Sequence, residues 1–203
     1  MLEFDKIESN WKTFEKLCTK LGDRSSQVKK MLSDLGERAC IAPASGREEY
    51  HCAFPGGLVD HSLRVLSNAR TLSKTFDFYK DLPVESIIIA CLFHDWGKVG
   101  EAGKDGKDYY VEQESDWHRE KLGEFYKLNK ELSYMKNSLR SVFLLQHYGI
   151  HLTEDEYLAI YLNDGPADDK NKPYTMKEPK LATLVQQADY LATKMEKEFS
   201  CKS

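Results

Sequence analysis

The chain has 203 residues, 41% of them hydrophobic and 31% charged, with a formal net charge of −4. That length and balance fit a soluble globular domain with a sizeable core and exclude a disordered chain. The net negative charge excludes the broad basic footprint of a protein that wraps duplex nucleic acid, while leaving room for a local basic pocket.

In chain order, "FDKIESNWKTFEKLCTKL" places Phe4, Ile7, Trp11, Phe14, Leu17 and Leu21 at helical spacing and ends at Gly22. "SSQVKKMLSDLGERACIA" reads as a second, weaker helix stopped near Pro43, and "PASGREEYHCAFPGG" is a loop of breakers and polar residues. "GLVDHSLRVLSNARTLSKTF" restores the helical period, with Leu58, His61, Val65, Leu66, Ala69 and Leu72 on one side. His61 therefore points inward. "DLPVESIIIACLFHD" is a further helix with an apolar run from Ile87 to Phe93, Pro83 in its first turn and Glu85 near its N-terminal dipole.

After Lys98 the pattern changes. "KDGKDYYV" combines an Asp-Gly turn with strand-prone tyrosines, which predicts a short β-hairpin. Helices resume at "SDWHREKLGEFYKLNKEL" and "SLRSVFLLQHYG", and "TEDE" is a capping pattern that opens another at Thr153. A long polar loop, "NDGPADDKNKPYTMKEP", precedes the last helix. There Leu181, Leu184, Val185, Ala188, Leu191, Ala192 and Met195 share a face, with Asp189 beside it. The expected architecture is all-α, with N-terminal helices over 1–45 packed on a domain spanning 46–203, the two forming one structural unit.

Cys18, Cys40, Cys52, Cys91 and Cys201 are scattered, with no CxxC pair. The N-terminal segment lacks the uncharged core of a secretory signal, and the longest apolar run is too short to span a bilayer. A reducing, cytoplasmic setting without a membrane role is expected.

Four polar residues fall where helices should be buried: His61, His94, Asp95 and Asp189. Such groups are costly to bury without partners. Two imidazoles and two carboxylates suit a divalent cation, among Mn²⁺, Fe²⁺, Co²⁺, Zn²⁺ and Mg²⁺, with positions left for water and substrate.

"HDWGK", preceded by "GGLVDHSLRV" and followed by "QQADYLA", resembles the HD-domain superfamily of metal-dependent phosphohydrolases, in particular small single-domain bacterial and phage members. The likeness implies an all-α helical bundle in which His61, His94, Asp95 and Asp189 hold the metal in that order. It also implies that Lys98 reaches a substrate phosphate oxygen, and that Asp95 serves the reaction as well as the ion. "YHCAFPGGLVDHSLRV" is similar to the opening of HD proteins that cleave nucleotide phosphodiesters, which places His51 among candidate substrate contacts with Arg64 and Arg119.

Members with two metals carry further histidines. His118 and His147 are candidates here for a second ion or a phosphate contact, but Asn163 stands where such a histidine is usual, and an amide is a poor transition-metal ligand. One ion is expected and a second is left open. The implied activity is hydrolysis of a nucleotide phosphate ester by a metal-activated water. A cyclic-nucleotide or short-oligonucleotide phosphodiesterase and a catalytically silent nucleotide-binding sensor are the alternatives.

Overall fold

The computed structural model describes residues 2–200; Cys201 and the outermost ends of both expected ranges lie outside the described residues. Helices α1 (Phe4–Cys18), α2 (Ser25–Ile41), α3 (Gly57–Thr75), α4 (Val84–Phe93), α5 (Asp116–Leu122), α6 (Asn137–His147), α7 (Glu154–Tyr161) and α8 (Lys180–Ser200) make up most of the fold. One antiparallel strand pair joins β1 (Tyr110–Glu112) to β2 (Tyr126–Leu128). The protein is all-α with a small β insertion.

Helix α4 organises the rest. Every residue from Ser86 to Phe93 is buried, which an all-apolar helix requires, and α1, α3, α7 and α8 pack around it. Phe14, Leu17, Leu21, Val28, Met31 and Leu35 of the N-terminal segment belong to the same core as α4. Phe14 stacks on Trp96 at 5.3 Å and meets Phe93 edge-on at 5.6 Å, so α1 holds the turn that follows α4. Arg38 of α2 donates to the carbonyls of Val99, Glu101, Gly103 and Lys107, pinning the loop beyond that turn.

Two elements differ from the sequence reading. The partner of β1 is not across Asp105–Gly106; it is β2, with Tyr110 opposite Leu128, and α5 lies in the connection. The helix expected over "SDWHREKLGEFYKLNKEL" stops at Leu122, because Gly123 adopts φ 57° and its N–H bonds the His118 carbonyl. A glycine in that left-handed position ends the helix at little steric cost. On α8, Leu191 and Met195 lie at the outer edge of the apolar face and are exposed, while Ala188, Ala192 and Glu196 beside them are buried. Among the described residues no helix is long and apolar enough to cross a membrane.

The capping box at Thr153 forms in full: its hydroxyl accepts from the Glu156 N–H, and the Glu156 carboxylate accepts from the Thr153 N–H at 2.9 Å. Glu156 is also fully buried, accepting from Arg24 at 2.7 Å and Ser86 at 2.7 Å. Burial would raise this carboxyl, but the bonds from Arg24, Thr153 and Ser86 hold it below its ordinary value. With the folded value depressed, the stabilisation is complete above the unfolded carboxyl range, near about pH 4.3. It is lost as pH falls through the lower folded value. Glu156→Gln should therefore lose about 3 kcal/mol at neutral pH, the low end for breaking a buried pair. Its melting temperature should converge on that of wild type in acid. A constant gap across the pH range would show that shape, and not charge, is what Glu156 supplies.

Candidate metal centre

The C-terminal end of α4 faces α3 and α8, the pair of helices with the most extensive mutual packing. His94 caps α4, and Asp95 opens a tight turn over Trp96–Val99. Ser141 of α6 fixes that turn: its hydroxyl accepts from the Gly97 N–H at 2.7 Å and donates to the His94 carbonyl at 2.9 Å. Gly97 has to be glycine, since a Cβ there would lie 2.3 Å from the Asn137 carbonyl oxygen.

His61, one turn into α3, is fully buried, as is His94. His61 Nδ1 lies 3.1 Å from Glu196 Oε2, and His94 Nδ1 lies 2.9 Å from the Cys91 carbonyl oxygen. A carbonyl or carboxylate oxygen can only accept, so each Nδ1 carries the proton and each Nε2 turns its lone pair inward. Neither Nε2 has a hydrogen-bond partner. Yet His61 Nε2 stands 3.0 Å from Asp189 Oδ1 and 3.9 Å from Asp95 Oδ2, and His94 Nε2 stands 4.0 Å and 3.7 Å from the same two atoms.

Acceptors gathered this closely need positive charge among them. Two donors bound to one ion at about 2.0–2.2 Å can be at most about 4.4 Å apart, and all four separations fall inside that limit. The donor set therefore fits a divalent cation. The electrostatics agree: burial would depress His61, but Asp189 and Glu196 lift it to about 10. Burial would likewise raise the Asp95 carboxyl, but Lys98, His94 and His61 hold it well below the usual carboxylate range. Positive charge is favoured at this point of the fold, whether it arrives as a proton or a metal ion.

The oxygen of Asp95 that faces the imidazoles is shared with Lys98, and the other is held by two amides. Lys98 Nζ donates to Oδ2 at 2.5 Å, and the amide nitrogens of Asn137 and Asn163 lie 2.6 Å and 3.4 Å from Oδ1. Burial would lower Lys98, but Asp95 raises it, so its ammonium persists at neutral pH. Asn163 thus turns its amide to the carboxylate of Asp95.

The remaining candidates divide. His51, in the loop before α3, sets its ring at a tilt 4.5 Å from that of His61. Donor atoms of His51, His61 and Asp95 lie within 4.8 Å of one another, as do those of His61, His94 and Asp189. Arg64 turns toward the back of the site, bonding Asp60 at 2.9 Å and approaching Glu196 at 3.7 Å. Arg119 pairs with Asp116 on the exposed side of α5. His118 Nδ1 bonds the Ser115 hydroxyl, and His147 is exposed at the end of α6 against Phe143 and Tyr148. Among the described residues, neither His118 nor His147 joins a group of donors that could share an ion.

Sequence reasoning passed over Glu196, which is 5% exposed and orients His61. Its position seven residues after Asp189, two helical turns along α8, was the available signal. Behind it, Asn10 of α1 donates to Asp60 at 2.8 Å, so the network supporting His61 reaches into the first helix.

Compared with known proteins, residues 58–194 match the model of the HD domain family. None of the curated proteins and none of the solved structures compared with the chain matches it.

Proposed function

From its membership of the HD domain family, a superfamily of metal-dependent phosphohydrolases, we propose that the chain hydrolyses a phosphate ester of a nucleotide. The observation that carries the reading is the convergence of two orphaned imidazole lone pairs and two carboxylates beside a lysine that stays charged.

His61, His94, Asp95 and Asp189 would hold the cation. When bound, it would lower the pKa of a water molecule and polarise a phosphoryl oxygen. Lys98 carries a fixed positive charge next to Asp95 and is placed to bind a phosphate oxygen as negative charge builds up. Asp95, shared between that ammonium and the imidazoles, orients the attacking water. Asn137 and Asn163 hold its carboxylate in register. Water adds to phosphorus, the ester P–O bond breaks, and the departing oxygen takes the proton that the water loses. The products are an alcohol and a phosphate.

A nucleotide is favoured by Tyr109 and Tyr110, whose rings meet at 4.9 Å on the β insertion, close enough for Lys98 to act on both phenols. Aromatic faces beside a phosphate site can stack a base. The acidic chain favours a small substrate over a polymer. Phosphate and nucleoside release should be measured with Mn²⁺ on mono- and triphosphates, cyclic nucleotides and short oligonucleotides. Cleavage of a mononucleotide supports the reading. Cleavage confined to cyclic or oligomeric members would make the protein a phosphodiesterase, and binding without cleavage would make it a sensor.

A second expectation concerns Lys98. Lys98→Met should lower kcat by about 10²-fold, the size of removing one preorganised charge-stabilising group, while metal content stays at the wild-type level. Metal lost together with activity would assign Lys98 to holding Asp95 alone.

A further inference from the structure

His51 lies outside the segment that matches the HD domain family, seven residues before it begins. Its Nε2 is nonetheless enclosed and without a hydrogen-bond partner. Leaving such an atom unsatisfied costs about 1–3 kcal/mol, so something that belongs to the working protein should meet it.

The backbone around His51 is built to hold it there. The Ser45 hydroxyl donates to the His51 carbonyl at 2.7 Å, and the Ala44 N–H donates to the Cys52 carbonyl at 3.0 Å. Cys52 sits at φ 47°, a left-handed conformation uncommon for a residue with a side chain. Gly57 makes the approach possible, since a Cβ on it would lie 2.1 Å from the Cys52 carbonyl oxygen. The strained turn presses the imidazole onto His61, and donor atoms of His51, His61 and Asp95 come within 4.8 Å of one another.

We infer that His51 is a third imidazole ligand of the same cation that His61, His94, Asp95 and Asp189 hold. The inference rests on reading that cluster as a metal centre. A separate second ion is disfavoured because Asp95 has no oxygen left for it: Oδ2 faces the imidazoles and accepts from Lys98, and Oδ1 is held by Asn137 and Asn163. Three imidazoles and two carboxylates form a borderline donor set, which prefers Mn²⁺, Fe²⁺, Co²⁺ or Zn²⁺ to Mg²⁺. His51 thereby moves from a candidate substrate contact to a determinant of metal choice.

The test is titration of chelator-stripped protein with Co²⁺, followed by its visible absorption and by calorimetry, for wild type, His51→Ala and His51→Gln. Wild type should take up one Co²⁺ per chain, with an excess of Mg²⁺ failing to displace it. Both variants should bind at least about 10–100-fold more weakly, the loss that even an outer-sphere partner of a ligand causes, and their absorption bands should change. Melting of the metal-free proteins separates this from misfolding, because His51→Ala removes an unpaired group and should melt no lower than wild type. Unchanged affinity and spectrum in both variants would overturn the role of His51 alone. Two Co²⁺ per chain would overturn the single shared ion. No uptake by wild type would overturn the metal centre itself, and this inference with it.

Discussion

Asp95→Asn is expected to lower phosphate release by at least about 10²–10³-fold, the loss that follows removal of one preorganised electrostatic group. Asp95 Oδ2 faces the two imidazoles and accepts from Lys98, while Oδ1 faces Asn137 and Asn163. An amide in its place has one oxygen instead of two and no charge, so it can satisfy the asparagines or Lys98, and not both. The Lys98 side chain, 13% exposed, would then be a nearly buried ammonium without a counter-charge. Breaking such a pair costs about 3–5 kcal/mol. Helical content should survive, since the core on which α4 rests is untouched, but the melting temperature should fall. The double variant Asp95→Asn with Lys98→Met separates the two roles: stability should return and turnover should not. Recovery of turnover in the double variant would mean that Asp95 serves only to neutralise Lys98.

Gly97→Ala should be among the most damaging methyl additions in the chain. The added Cβ would lie 2.3 Å from the Asn137 carbonyl oxygen, 2.8 Å from its side-chain oxygen and 2.9 Å from Arg140 Cβ. None of these can step aside cheaply. The carbonyl belongs to the first turn of α6, and Ser141 on the same helix grips the turn from both sides. The turn must shift, taking His94, Asp95 and Lys98 with it. A loss of about 3 kcal/mol, the upper range for overpacking, corresponds to a fall of roughly 6–12 °C in Tm. Metal affinity should weaken as well. A melting temperature within a degree of wild type would show that α6 slides freely on this turn.

The helices and their capping were legible in the sequence because their causes are local. Apolar spacing marks the buried faces of α1, α3 and α8, and the Thr153–Glu156 box is written in four consecutive residues. The β pairing was not legible in detail, since Tyr110 meets Leu128 across an intervening helix and the nearby Asp-Gly turn points to a closer partner. The exposure of Leu191 and Met195 on α8 was not legible because periodicity groups residues on a face and does not say how far round the helix its neighbours reach.

The site divides along similar lines. Histidine and aspartate at buried positions stand out on grounds of cost alone, which is why His61, His94, Asp95 and Asp189 could be picked out together. Glu196 and Asn137 could not, because a glutamate near a helix end and an asparagine at a helix start are ordinarily solvated, and Asn163 stood out only as an amide where a histidine is usual. Their placement follows from needs of the site: His61 Nδ1 needs an acceptor, and the Asp95 carboxylate needs donors.

The most direct test of the metal-dependent hydrolase is phosphate release from the nucleotide panel as Mn²⁺ is added back to chelator-stripped protein, with bound metal counted in the same samples. Release should be absent without metal, rise in proportion to the ion bound, and be missing from Asp95→Asn. Full occupancy of the site with no panel member cleaved would contradict the hydrolase and leave a nucleotide-binding module in its place.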